Sequence, residues 1–246
     1  MSTVKWIVTV SVIILITTTA AAAIEGAVAV KVSGGESHTL VLTEKKFVWG
    51  CGRNYDGQLG IGGGGDKRTL RRVHEGEMDS PSDYLEDIND IDGGWLHSLA
   101  VDVSGSVWAW GDNGWGQLGD GTNVGKSTPR KVHGPNDVGF LEGIISISAG
   151  RSGKHSLAVD CNNHAWAWGR NIEGQLGIDT SGSNKKKLTP VQVDGGEMET
   201  THLEDIIAVS AGEHHSMALD ANGFVYTWGS NHWLVWQVWR SSITSS

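Results

Sequence analysis

Four times along the chain a six-residue stretch alternates polar and apolar side chains. The second copy reads His97-Ser98-Leu99-Ala100-Val101-Asp102, and the others begin at His38, His155 and His215. Alternation with a period of two predicts a half-buried strand. A turn follows, Ser104-Gly105 in the second copy and Asn222-Gly223 in the fourth, of the kind that closes tight hairpins. Then comes an aromatic, strand-forming run such as Val107-Trp108-Ala109-Trp110-Gly111. A third apolar run lies upstream, at 144–148, 206–210 and, more weakly, 88–91, and a fourth follows at 128–132 and 189–193. The histidines recur at intervals of 59, 58 and 60 residues. Four short antiparallel strands per period, with glycine at the turns and no long amphipathic helix, predict an all-β fold. The architecture expected is a β-propeller of four-stranded blades, in preference to a stacked solenoid.

Composition narrows the function more than the fold. Gly makes up 35 of 246 residues without a Gly-X-Y period, which excludes collagen. Lys and Arg number 19 against 28 Asp and Glu, a formal charge of −9, and Lys185-Lys186-Lys187 is the one notable basic run. That balance argues against nucleic acid as a partner. Two cysteines cannot build a disulfide framework or a four-thiolate zinc site. Cys51 and Cys161 occupy different places in their repeats and are expected to be free thiols.

At the N-terminus Lys5 precedes an apolar run from Trp6 to Thr19 that ends in Ala20-Ala21-Ala22-Ala23. A positive start, a hydrophobic stretch and a small-residue site predict a signal peptide over 1–23, cleaved near Ala23, and hence a secreted protein. The alternative is an uncleaved membrane anchor over 6–24, just long enough to span a bilayer.

The strand Gly-x-x-His-Ser-Leu-Ala-Val, followed after the aromatic run by Gly-Gln-Leu-Gly, resembles the regulator of chromosome condensation repeat family. The copies begin at Gly34, Gly93, Ala149 and Ala211, and the resemblance covers roughly residues 30 to 231. It implies a propeller of usually seven four-stranded blades. About four repeats of roughly 59 residues are present here, with the first and last read as incomplete, so a partial propeller is expected over 24–231. After Asn231 the expected Gly-Gln-Leu-Gly is replaced by His232-Trp233-Leu234-Val235-Trp236-Gln237-Val238-Trp239. Because tryptophan codons read one base later encode glycine, the tail over 232–246 is read as an out-of-frame end.

No residue is nominated as catalytic, cofactor-binding or metal-binding. His38, His97, His155 and His215 could in principle converge on a metal, but their repetition favours a structural hydrogen bond inside each blade. Trp49, Trp110, Trp168 and Trp228 align as one packing class. Phe47, Trp108, Trp166 and Tyr226 align as a second, expected on the opposite side of the strand. Leu59, Leu118 and Leu176 are expected to plug the core, and the acidic stretch 75–92 to be a solvated face. No nucleophile with a positioned base is present.

The expectation is a non-catalytic protein-interaction module without a cofactor, whose variable inserts at 62–87, 120–141 and 178–203 form one propeller face. Its protein partner is unidentified, and self-association through open blade edges is a further expectation. The namesake activity of the family, guanine-nucleotide exchange on a small GTPase, is the alternative if the chain is intracellular. Light sensing, known for a plant ultraviolet-B receptor with similar repeats, finds one partial echo at Gly94-Trp95-Leu96-His97-Ser98.

Overall fold

The computed structural model describes residues 26–74, 76, 84–178, 185–195 and 202–230; the segments 1–23 and 232–246 lie outside these residues. The described residues form four antiparallel meanders in which each strand pairs with its neighbour in sequence. Blade I comprises β1 (Ala29–Gly34), β2 (His38–Thr43), β3 (Val48–Gly52) and β4 (Lys67–Arg72). Blade II comprises β5 (Ile88–Gly93), β6 (His97–Asp102), β7 (Val107–Gly111) and β8 (Lys126–Lys131). Blade III comprises β9 (Ile144–Ala149), β10 (His155–Asp160), β11 (Ala165–Arg170) and β12 (Lys186–Gln192). Blade IV comprises β13 (Ile206–Ala211), β14 (His215–Asp220) and β15 (Val225–Gly229). The predicted blade is thus present, and blade I is complete, contrary to the expectation that it would be partial. Its outer strand β4 is mostly basic and gave no apolar run to read, and the valines of its outer strand β1, at alternate positions 30 and 32, were passed over.

The hairpin between second and third strands is set by one side chain. Asp102 Oδ1 accepts the N–H groups of Ser104 at 2.9 Å and Ser106 at 3.0 Å, and its Oδ2 accepts Trp108 Nε1–H at 3.0 Å. Asp160 and Asp220 repeat this with Trp166 and Tyr226. Blade I has Thr43 at this position, and the buried Nε1 of Trp49 there finds no partner.

The hydrophobic core lies between blades. Leu99, Val101, Val107, Ala109, Leu118, Val132 and Leu141 of blade II pack on Ile144, Ile147, Ala158 and Trp168 of blade III. Each blade therefore has a trailing face, rich in Leu and Val, and a leading face that carries the aromatics. The same arrangement joins blades I and II and blades III and IV. Leu59, Leu118 and Leu176 are fully buried, as expected.

The strand register corrects the tryptophan alignment. His38 lies opposite Gly52, and His97 opposite Gly111. Cys51 therefore stands where Trp110, Trp168 and Trp228 stand, and Trp49 matches Trp108, Trp166 and Tyr226. The two aromatic classes also share one face, because residues two apart on a strand point the same way; Trp108 and Trp110 enter the same cluster.

Candidate interaction surface and the blade junctions

Each Gly-Gln-Leu-Gly loop is held rigid before it meets its neighbour. The buried Asn113 accepts the Leu118 N–H at 3.0 Å, and Asn54 and Asn171 do the same for Leu59 and Leu176 at 2.9 Å. The loop then turns a main-chain carbonyl towards the following blade. Gln58 C=O accepts Ser98 Oγ–H at 2.8 Å and Trp110 Nε1–H at 2.9 Å. Gln117 C=O accepts the same pair from Ser156 and Trp168, and Gln175 C=O from Ser216 and Trp228. Glycine is needed where the indole lies: Gly119 has φ +67, and a Cβ there would sit 2.9 Å from Trp168 Nε1.

The histidines complete the junction. His38, His97 and His155 place Nε2 at 2.9, 3.0 and 2.9 Å from Ser98, Ser156 and Ser216 of the next blade. Each serine hydrogen goes to a Gln carbonyl, so the imidazole Nε2 carries the hydrogen and donates it. This corrects the expectation of a bond inside the blade: the repeated histidine ties one blade to the next. Burial favours the neutral ring, lowering the pKa to about 4 for His38 and about 3 for His97 and His155. Neighbouring positive charges add to this, His38 for His97, and His97, His215, His214 and Arg170 for His155. Among the described residues no three His, Cys, Asp or Glu are grouped to hold a metal.

A third link joins the first strands. Ser33 Oγ accepts the Gly93 N–H at 3.0 Å, Asp92 Oδ2 the Ala149 N–H at 2.9 Å, and Ser148 Oγ the Ala211 N–H at 3.0 Å. Asp90 also pairs with Lys31, and Glu86 with Arg72 at 2.8 Å. The described part of the acidic stretch is therefore engaged in pairing rather than only solvated; residues 75 and 77–83 lie outside the described residues.

The inserts do not share one face. β4, β8 and β12 run through the middle of them, so 62–66, 120–125, 178 and 185 sit at the end of the blades that carries the Gln loops. The described residues 73–74, 84–87, 132–143, 193–195 and 202–203 sit at the opposite end. The period-2 strand between them could not be read from β4, where four of six residues are basic.

The Gln-loop end gathers exposed recognition chemistry on rigid supports. Tyr55 is 74% exposed and Ile172 48%. Lys154 lies over the Trp95 ring at 4.5 Å and 3.9 Å from Asp112; Arg170 lies over Trp115 at 5.5 Å, pairs with Glu173 at 2.6 Å and meets His214 at 3.1 Å. Between blades I and II a shallow groove of about 350 Å³ is lined by Tyr55, Asp56, Gly63, Gly64, Asp112 and Ser127. The cysteines are free, Cys51 half-buried with its thiol pKa raised by burial and Cys161 exposed.

Basic residues concentrate on the outer strands, a grouping that the linear sequence hid. Lys67, Arg68, Arg71, Arg72, Lys126, Arg130, Lys131, Lys186 and Lys187 lie in β4, β8 and β12, strands that contain no acidic residue. Positive charge on an edge strand discourages edge-to-edge pairing.

The repeats have counterparts among known proteins. Profiles of the regulator of chromosome condensation (RCC1) repeat match residues 104–159 and 162–219, and a second form of the repeat matches 29–58, 88–117 and 144–175. The chain is 35% identical over 209 residues to the human probable E3 ubiquitin-protein ligase HERC6, covering 84% of this chain and 18% of that protein. It is 30% identical over 209 residues to the bovine secretion-regulating guanine nucleotide exchange factor, covering 82% of this chain and 40% of that protein. The crystal structure of human WBSCR16 superposes with a TM-score of 0.67 at 23% identity, covering 85% of this chain and 50% of that one. The chain thus spans half or less of the length of these proteins. By its repeats and its fold, the chain belongs to the RCC1 repeat family.

Proposed function

We propose that this chain is an exported, non-catalytic protein-interaction module that binds its partner at the Gln-loop end of the blades. The observation that carries the reading is the set of Tyr55 and Trp115, on Gln loops whose roots are tied down by buried hydrogen bonds, with Trp95, Lys154 and Arg170 at the same end of the blades. Aromatic and Arg side chains on a preorganised surface are what protein interfaces use as anchors. The export half rests on the N-terminal sequence pattern at 1–23. Chemistry is assigned to no residue: apart from the Cys51 thiol, raised by burial, the titratable groups with shifted pKa values serve the blade junctions and hairpins.

The test is crosslinking of the full chain to partners in its native compartment, compared with Tyr55→Ala and Trp115→Ala chains. Loss of the same crosslinked protein in both variants, with unchanged thermal unfolding, supports the reading. Retention by both variants refutes it. The second reading is nucleotide exchange on a small GTPase, favoured by the resemblance to the bovine exchange factor. It predicts accelerated release of labelled nucleotide from a GTPase panel and an intracellular chain that keeps Met1.

A further inference from the structure

Two internal junctions carry opposite charge at equivalent places of the Gln-loop end. Between blades II and III the chain supplies its own cations. Arg170 lies over the Trp115 ring at 5.5 Å, and Lys186 Nζ–H donates to the Gly114 carbonyl at 3.4 Å. Between blades I and II those two places are held by Asp112 and Gly125. Asp112 follows Gly111 as Arg170 follows Gly169, so a carboxylate stands in place of the guanidinium. Lys126 faces Gly111 as Lys187 faces Gly169, so Gly125 stands in place of Lys186. Counted from the buried Asn54 and Asn113, Asp56 takes the place of Trp115, and the aromatic ring moves one residue to Tyr55.

These exchanges leave a groove of about 350 Å³ between the two blades. Its walls are the Tyr55 ring, 74% exposed, and the carboxylates of Asp56 and Asp112. Asp112 is fixed by the Gly114 N–H at 3.1 Å and by Gln117 Nε2–H at 2.8 Å. Asp56 is less satisfied, because its Oδ2 is buried yet accepts no hydrogen bond. Arg53, 3.5 Å from Asp56, and Lys154, 3.9 Å from Asp112, make long ion pairs from outside the lining. On the floor an added Cβ at Gly63 would meet nothing within 4 Å, which leaves room for an aliphatic stem. Carboxylates beside an exposed aromatic ring complement a guanidinium or ammonium group, which packs on the ring face and pairs with the oxygens.

We propose that this groove takes an arginine or lysine side chain presented by the partner protein, an assignment that rests on the Gln-loop end being the partner surface. The incoming cation does at this junction what Arg170 and Lys186 do at the next. It packs on Tyr55 and pairs with Asp56 and Asp112, while its stem crosses the glycine floor.

The probe is the peptide acetyl-Gly-Arg-Gly-amide, titrated into the isotope-labelled full chain, with citrulline in place of arginine as the uncharged control. The backbone amide signals of Gly57, Gly63, Gly64 and Gly125 are the reporters. The arginine peptide should shift them with a Kd of about 1 mM, and the citrulline peptide should bind about fivefold more weakly. Asp112→Arg places a guanidinium where blade III has one, so this variant, shown to be folded by near-ultraviolet circular dichroism, should not respond. Asp56→Asn keeps the shape of its side chain and should bind about threefold more weakly, which serves if Asp112→Arg does not fold. No shift of these signals at about 10 mM peptide overturns the proposal. So does equal binding of the citrulline peptide, or a wild-type response from the folded variants. Crosslinking then separates the groove from the surface that contains it. Loss of the partner from the folded Asp112→Arg chain supports the proposal. A partner kept by Asp112→Arg but lost by Tyr55→Ala and Trp115→Ala overturns it and leaves the surface standing. Retention by all three variants refutes the surface and the proposal with it.

Discussion

Blades II and IV share almost the same central strand, His97-Ser98-Leu99-Ala100-Val101-Asp102 against His215-Ser216-Met217-Ala218-Leu219-Asp220. In blade II the histidine is fully buried and bonded across a junction; in blade IV it is exposed. The serine of each is equally buried and bonded, because it faces the preceding blade, which both possess. Burial here is a property of the junction and not of the strand. Leading faces depend on the blade before and trailing faces on the blade after.

Acidification should expose this contrast most strongly. The folded-state pKa values of His38, His97 and His155 lie below the ordinary 6.5, so below that pH the unfolded chain binds more protons than the folded one. Stability is complete above about pH 6.5 and declines as pH falls toward about 4 for His38 and about 3 for His97 and His155, each group contributing up to about 1.4 kcal/mol per pH unit. Denaturant unfolding across pH 4 to 7 reads the slope, and His97→Asn should flatten it. For Asp102, burial raises the carboxyl pKa, but hydrogen bonds from Ser104, Trp108 and the backbone outweigh it, and the net shift is downward. Asp160 behaves likewise, burial being outweighed by bonds from His164, Trp166 and Asn162. Their contribution is present above the ordinary carboxylate range and is lost only as pH falls through the depressed folded values.

Truncating the junction indoles gives the next largest difference. Trp168→Ala removes a fully buried ring and its bond to Gln117, and should cost about 3–5 kcal/mol in urea unfolding. Trp228→Ala, at a half-buried ring, should cost roughly half as much. Equal losses would break the comparison. A smaller contrast is expected for the histidines: His97→Ala should cost about 2 kcal/mol and His215→Ala less than about 0.5 kcal/mol.

The smallest test repairs the irregular blade. Thr43→Asp would restore the hairpin carboxylate that blades II to IV share and give Trp49 Nε1 an acceptor. It should stabilise the chain by about 1 kcal/mol at neutral pH, read as a higher thermal midpoint. A destabilised variant would show that Thr43, itself fully buried, sits in a pocket too tight for the exchange.

The blade was legible in the repeats because short apolar runs and turn glycines are local signals, although the second strands of blades II and III, expected to be half-buried, are buried on both faces. Of the strands missed, β4 is a basic rim strand without an amphipathic pattern, whereas β1 and the residue before it carry valines at alternate positions 28, 30 and 32 that were passed over and that are exposed. The tryptophan register failed because Trp49 and Cys51 lie two residues apart, so a match to the nearest tryptophan ignored the pairing that fixes the strand.

The sequence by itself determined the fold class, the repeat, the central hairpins and the packing role of the Gly-Gln-Leu-Gly leucines. Each of these follows from residues close in the chain. Only the tertiary structure decided that the repeated histidines join blades and that the inserts divide between two ends. Those features arise from residues about 60 positions apart, where no local propensity operates and the packing of one blade on the next sets what is buried.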